Sequence, residues 1–277
     1  MKINKVAILI NVIAWAISFV WILPLMGILM ASIRPYKEIV RGWWDFSEFN
    51  PSLTNIFNAL YHPTAPLSKG IVNSLIVTIP ATIMPIIIGA LAAYAFARYS
   101  FTIKSYLFLT IVLLMAVPQQ SIAIPLFQLM KKLGLLDSLI GLSIVHTAWG
   151  LPWIILFMKN FFATLPVEVE EAARIDGATD FQIFYKIVLP LSLPGIASVA
   201  ALQFTWVWSD FFLALILIYS PDKLLATQRL PLMRGQYHVD WGVLSAASLI
   251  IIAVPIVLYL ALQKYYIRGM VGWVVKG

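Results

Sequence analysis

Cysteine is absent from all 277 residues, which excludes disulfides, thiolate nucleophiles and cysteine-based metal sites and leaves the redox compartment undetermined. Histidine is scarce as well: the three are His62, His146 and His238, which match no metal-ligand spacing, so metal catalysis has no support. Only 11% of residues are charged. The 19 basic residues exceed the 12 acidic ones and give a net charge of +7, but they are scattered among short polar stretches. That distribution flanks membrane segments and lacks the patch that nucleic acid requires. No Gly-x-x-x-x-Gly-Lys-Ser/Thr phosphate loop occurs, so the chain lacks that signature of an ATPase. An intramembrane enzyme would need paired acids or a nucleophile with its base. Asp210 is the sole acid, and His146 the sole histidine, deep in an apolar stretch.

The abundant component is apolar. Hydrophobic residues make up 61% of the chain and the mean hydropathy is +0.91, beyond the range of soluble globular domains. The fold class that follows is an all-α integral membrane protein forming one domain over 1–277. Its transmembrane helices are expected at about 6–30, 71–97, 106–130, 139–158, 195–219 and 243–263. The first run follows Lys2 and Lys5, yet it is too long for a signal-peptide core and no small-x-small cleavage site follows it, so it reads as a span, with a kink at Pro24. The polar stretch from Arg34 to Lys69 holds a turn at Asn50-Pro51, a short helix from Leu53 to Tyr61, and Trp43, Trp44, Phe46 and Phe49 as an interfacial aromatic belt.

Within the spans, Gly89, Ala90 and Ala93 suit close helix approach. Pro118-Gln119-Gln120 interrupts the third span, and amides there must face either protein or a water-lined pathway. His146 reads as a satisfied packing residue and Trp208 as packing or lipid contact. Asp210 costs about 2.5–3.5 kcal/mol on insertion scales, so it needs a cavity or a partner. Both a structural acid bonded across helices and a pathway residue satisfy that need. The second reading places Gln203, Trp206, Asp210 and Gln119 along a route through the membrane.

One stretch, 164–194, has a polarity none of the spans shares. Thr164 suits an N-cap, Pro166 a first turn, and Glu168, Glu170 and Glu171 the positive end of a helix dipole. Val167, Ala172, Ala173 and Ile175 give this helix a small apolar side, and Glu170 and Arg174 have the spacing of a solvent-side pair. Gly177 falls where a left-handed C-cap ends the helix. Thr179 and Gln182 have capping-box spacing, so a second helix starts at once, with Phe181, Phe184, Ile187 and Val188 towards one side and Pro190 and Pro194 stopping it.

Glu171-Ala172-Ala173, Asp176-Gly177, and then Ile187, Leu189 and Pro190 resemble the EAA loop of ABC importer permeases, and Asp176-Gly177-Ala178-Thr179 resembles the maltose-type carbohydrate importers among them. Asn73-Ser74, the run from Ala92 to Arg98, the set Tyr237, Asp240, Trp241 and Gly242, and the tail from Gln263 are similar to the same family. At Asp180 the chain departs from it, since many such permeases carry proline there. The resemblance implies a type I importer permease fold whose 164–194 loop is a coupling helix docked on an ATPase. It implies partners: a second homologous permease, two ABC ATPase subunits and an extracytoplasmic sugar-binding protein. It also implies a prokaryotic cytoplasmic membrane with both termini inside. Under it, Gln203 and Asp210 offer hydrogen bonds to sugar hydroxyls and Trp206 a face for a pyranose ring. Charge alone does not orient the chain. With the termini inside, Lys2, Lys5, Arg98, Lys104, Lys159, Arg174, Lys186, Lys264, Arg268 and Lys276 face the cytoplasm and the other nine of the 19 basic residues face out. Two other readings of the residues remain at this point: an interfacial amphipathic helix pair at 164–194, and an ion-coupled secondary transporter using Asp210.

Overall fold

The computed structural model describes residues 5–235 and 239–271; Lys2, Tyr237, His238, Lys276 and the rest of the tail from Gly272 lie outside the described residues. The regular structure is helical: α1 (Lys5–Ser32), α2 (Tyr36–Ile39), α3 (Thr54–Leu60), α4 (Leu67–Arg98), α5 (Lys104–Leu114), α6 (Ala123–Lys132), α7 (Leu139–Phe162), α8 (Val167–Ile175), α9 (Asp180–Ile183), α10 (Leu189–Leu191), α11 (Leu193–Trp208), α12 (Phe212–Leu217), α13 (Ala226–Leu232) and α14 (Trp241–Val271).

Helix is what hydrocarbon demands, because every backbone group there must be bonded within the segment. The apolar stretches of α1, α4, α7 and α14 have mean hydropathies of 2.3, 2.3, 1.7 and 2.6 and are long enough to cross a bilayer unaided. At 32 residues, α4 is about 48 Å long, which exceeds the roughly 30 Å hydrocarbon core. Two further spans are broken.

The third span is not one helix over 106–130. It divides into α5, a tight turn at Gln119–Ile122 and α6, with a bend of 94° between the pieces. Pro118 sits extended at φ −72° and ψ 139°; it has no amide to donate, and the break falls there. The fifth span is also not one helix over 195–219. The segment Asp180–Leu191 meets α11 at 73°, and α11 stops at Trp208. Asp210 then restarts the chain by accepting the amides of Leu213 and Ala214 at 3.5 and 3.1 Å, and α12 follows. Pro194 opens α11 near its first turn instead of stopping the helix before it.

The chain forms two compact units, residues 1–68 with 229–253, and residues 69–228 with 254–277. In the first, α1 is exposed over most of its length, with Trp15 and Trp21 at 76% and 78%, and becomes buried at its last residue, Ser32. The loop after it is built on Arg34, which is buried. Its guanidinium donates to Glu38 at 3.1 Å and to the carbonyls of Asp45 and Glu48 at 2.6 and 2.9 Å. Phe46 and Phe49 lie 5.3 and 5.1 Å from its centre. Those two rings of the expected aromatic belt therefore cover a buried cation, while Trp44 is exposed.

In the second unit α4 and α7 run through two apolar clusters. One gathers Val77, Ala81, Leu142, Val145, Leu213 and Leu217. The other gathers Ala90, Ala93, Tyr94, Met158, Phe162, Ile183 and Phe184. The small residues are needed for this approach: a Cβ at Gly89 would stand 2.7 Å from Ile154 Cγ2. Trp208 is buried and stacks on Phe204 at 5.8 Å, so it packs against protein. At one end of this unit Asp137 takes the amides of Tyr219 and Ser220 at 3.1 and 3.0 Å, the Ser220 hydroxyl, and Lys223 Nζ at 3.1 Å. Burial opposes its charge, but these donors outweigh burial and hold its carboxyl well below the usual aspartate range.

Candidate functional site

The stretch 164–194 forms two short helices around a glycine. The helix α8 begins at Val167 after an extended Pro166 with no side-chain cap. Thr164 does not cap it; its hydroxyl donates back to Phe161 O at 2.7 Å and finishes α7 instead. Gly177 adopts φ +85°, and Ala178 N reaches Ala173 O at 2.9 Å, the wrapped C-terminal motif that a left-handed residue permits. Thr179 and Gln182 then exchange capping-box bonds and start α9. Through Phe184–Val188 the helix widens to a π-helical turn. Ile183, Phe184 and Val188 are buried in the second apolar cluster, and Ala173, Ala178, Ile187 and Leu189 pack at its edge.

Several residues fall differently from their sequence pattern. Ile175 and Phe181, assigned to apolar sides, are 87% and 71% exposed. Glu170, assigned to a solvent pair with Arg174, is 2% exposed. It is the buried residue of α8, and it accepts Arg98 Nε at 2.7 Å and the Tyr94 hydroxyl at 2.9 Å. Arg98 also donates to Leu165 O at 3.2 Å. A pattern of i,i+4 charges cannot reveal this, because the partner comes from 72 residues earlier. The side of the element turned away from the apolar cluster is left with Glu171, Ala172, Asp176 and Gly177 open, flanked by Ile175 and Phe181.

The second feature is a cavity of about 300 Å³ within the second unit, whose wall includes Gln119, Gln203, Trp206 and Asp210. The sequence placed these four on a route through the membrane, and the structure brings them to one wall. About two helical turns of α7 supply four more: His146, Trp149, Gly150 and Trp153, at the i, i+3, i+4, i+7 spacing of one helix face. That spacing was the signal available in the sequence, hidden among apolar neighbours.

The polar groups in the wall are not equally free. Gln203 is 2% exposed; its oxygen accepts Trp153 Nε1 at 2.9 Å and its amide donates to Ala81 O at 3.0 Å. A Cβ on Gly150 would stand 2.5 Å from its nitrogen, so the glycine makes the room that Gln203 fills. Gln203 therefore ties α4, α7 and α11 together, where its sequence reading had it offering bonds to a passing molecule. Trp206 sits edge-on to Trp153 at 4.9 Å and is 57% exposed. Asp210 lies in the helix break. His146 is not the satisfied packing residue its sequence suggested: its Nε2 is buried without a hydrogen bond, 3.6 Å from Asp210 Oδ2.

An apolar multi-helix body, a cavity with a few polar groups, and a polar helix pair with an open face fit a membrane transport subunit. Among the described residues no group of acids and histidines forms a metal site. The chain belongs to the family of binding-protein-dependent transport system inner membrane components, whose model matches residues 85–272. It is 62% identical over 266 residues to a probable ABC transporter permease protein of Pyrococcus horikoshii, covering 96% of each chain. It is 41% identical over 219 residues to an alpha-glucoside transport system permease protein of Rhizobium meliloti, covering 77% of this chain and 58% of that one. Among solved structures, a chain of a bacterial ABC transporter involved in the import of the acidic polysaccharide alginate superimposes with a TM-score of 0.81. That match has 23% identity over 96% of this chain and 98% of the other, a likeness of fold. The ion-coupled alternative has no support.

Proposed function

We propose that this chain is the permease subunit of an ATP-driven importer of a mono- or oligosaccharide, delivered by an extracytoplasmic binding protein. The observation that carries the reading is the 164–194 element: a helix pair fixed on one side to α4 and α7 and open on the other through Glu171, Ala172, Asp176 and Gly177. A small apolar face rimmed by acids suits a cleft on a cytoplasmic ATPase. Such a partner, binding ATP and Mg, supplies the energy, and a pair of them acts on this chain and a second, homologous permease. Both termini then face the cytoplasm with the coupling element. Closure of the ATPases pushes the element and converts the helices between inward-facing and outward-facing arrangements.

Support for a sugar comes from the alpha-glucoside relative and from the chemistry of the cavity. Trp206 offers an aromatic face for a pyranose ring, Asp210 an acceptor and Gln119 an amide for hydroxyls.

Affinity purification of the tagged chain from its native membranes in mild detergent, followed by mass spectrometry, tests the reading. Recovery of an ABC ATPase and a second permease is expected. Recovery of the chain alone from membranes active in transport would overturn it.

A further inference from the structure

The cytoplasmic end of α4 carries more polar chemistry than a spanning helix requires to stop. Tyr94, Arg98 and Tyr99 stand there together, the two tyrosine rings perpendicular at 6.0 Å. Arg98 and Tyr94 hold Glu170 of α8, in an ion pair whose side chains are 9% and 2% exposed. A second row lies beside the first. Arg174, one turn along α8 from Glu170, places Nε and Nη2 both 3.1 Å from Asp180 Oδ1, at the first position of α9. The two helices on either side of Gly177 are thereby joined to each other through Arg174 and Asp180, and α8 is joined to α4 through Glu170. A proline at position 180 would offer no side-chain acceptor to Arg174.

The apolar contacts of α8 do not account for its attachment. Its buried residue is a carboxylate, and Val167, Val169 and Ile175 are exposed. A helix seated on small apolar contacts can slide or roll at little cost, whereas one seated on a buried, directional ion pair cannot do so without leaving a charge unpaired. Arg174 and Asp180 are themselves 41% and 50% exposed; such a pair contributes little stability alone, so its role is geometric, fixing the angle across the glycine.

We propose that Tyr94, Arg98, Glu170, Arg174 and Asp180 form a two-row polar clasp that makes the coupling element and α4 one rigid lever. These are positioning residues. They pass displacement of α8 and α9 to α4, and α4 carries it to the cavity, since its Ala81 carbonyl holds Gln203 in the wall. The inference rests on the importer reading for the source of the push, but the rigidity of the joint is a property of this chain.

The test uses the absence of cysteine. Ile87→Cys on α4 and Glu168→Cys on α8, both exposed positions, carry spin labels in the complex purified from its native cells. Their distance distribution is measured without nucleotide and with ATP under non-hydrolysing conditions. A lever gives one narrow distribution that is the same in both states. Arg98→Ala is expected to broaden it by about twofold or more, since a buried carboxylate without its partner drives local opening. The charge exchange Arg98→Glu with Glu170→Arg is expected to narrow it again, which a general loss of folding would not allow. With the second label moved to Lys186→Cys, Asp180→Pro is expected to broaden the distance to Ile87→Cys. A distance that shifts with nucleotide in the unsubstituted pair, or that stays narrow in both Arg98→Ala and Asp180→Pro, would overturn the clasp. If no ATPase accompanies the chain, the importer reading fails instead, and the nucleotide-free widths of the variants still decide the joint.

Discussion

Asp210 does two jobs with one carboxylate, and they separate by substitution. It caps α12 through the amides of Leu213 and Ala214, and it faces His146 across the cavity at 3.6 Å. Asparagine keeps an acceptor for the cap and removes the charge, whereas alanine removes both, and loss of such a cap costs about 0.5–2 kcal/mol. Asp210→Asn is therefore expected to purify with its partners in normal yield while sugar uptake falls by about tenfold, the scale of one charge-assisted bond of 1.4 kcal/mol. Asp210→Ala should add a loss of assembled complex. Uptake and complex yield measured in parallel check this; normal uptake in Asp210→Asn would reduce the residue to a helix cap. Its candidacy was legible from the rarity of acids in apolar sequence. The helix break around it was not, because Ser209, Asp210 and Phe211 form no breaker motif and the break is fixed by contacts such as Thr227 Oγ1 on the Asp210 carbonyl at 2.7 Å.

The element from Val167 to Val188 shows how much of a local structure its own residues dictate. The glycine bend and the capping box are set by neighbours in sequence, and both formed where Gly177, Thr179 and Gln182 indicated. Gly177 has no atom within 4 Å of where its Cβ would stand, so a larger residue meets no clash inside the chain and the penalty is the backbone conformation alone. For a β-branched residue in the left-handed region that penalty is about 1–2 kcal/mol. Gly177→Val is expected to leave the chain in the membrane, to shift the angle between α8 and α9, and to cut ATP-driven uptake by about tenfold. Membrane fractionation together with a vesicle uptake assay reads both results, and undiminished uptake would remove the bend from the coupling mechanism. Which faces of the two helices are covered was not legible. Ile175 and Phe181 look like core residues by type, and Glu170 looks like surface, yet the structure reverses all three. A helix with a docking face on one side and an ion pair on the other defeats the rule that apolar residues point inward.

For the whole molecule, stability has an acid-sensitive staple. Asp137 joins the loop between α6 and α7 to the segment after α12, and its carboxyl is held below the ordinary aspartate range by those donors against burial. A depressed carboxylate contributes stability that is fully present above the unfolded-state value near 4 and is lost as pH falls through the folded-state value. Thermal unfolding of the purified complex is therefore expected to weaken progressively below about pH 4, and Asp137→Ala should be less stable at pH 7 with a shallower acid dependence. Equal melting of the two proteins at pH 7 would exclude the staple. The sequence by itself determined that this chain is a membrane-spanning helical protein, that its spans sit near their observed positions, and that a helix–glycine–helix insert interrupts them. Composition, apolar run length and short-range capping act over a few residues and require no knowledge of neighbours. The tertiary structure alone decided that the fifth span breaks at Asp210 and that Gln203 is consumed in packing. It also decided that His146 faces Asp210, and that Glu170 is buried against Tyr94 and Arg98. Each of these depends on contacts between residues tens of positions apart, whose meeting follows from how helices pack and leaves no period in the sequence.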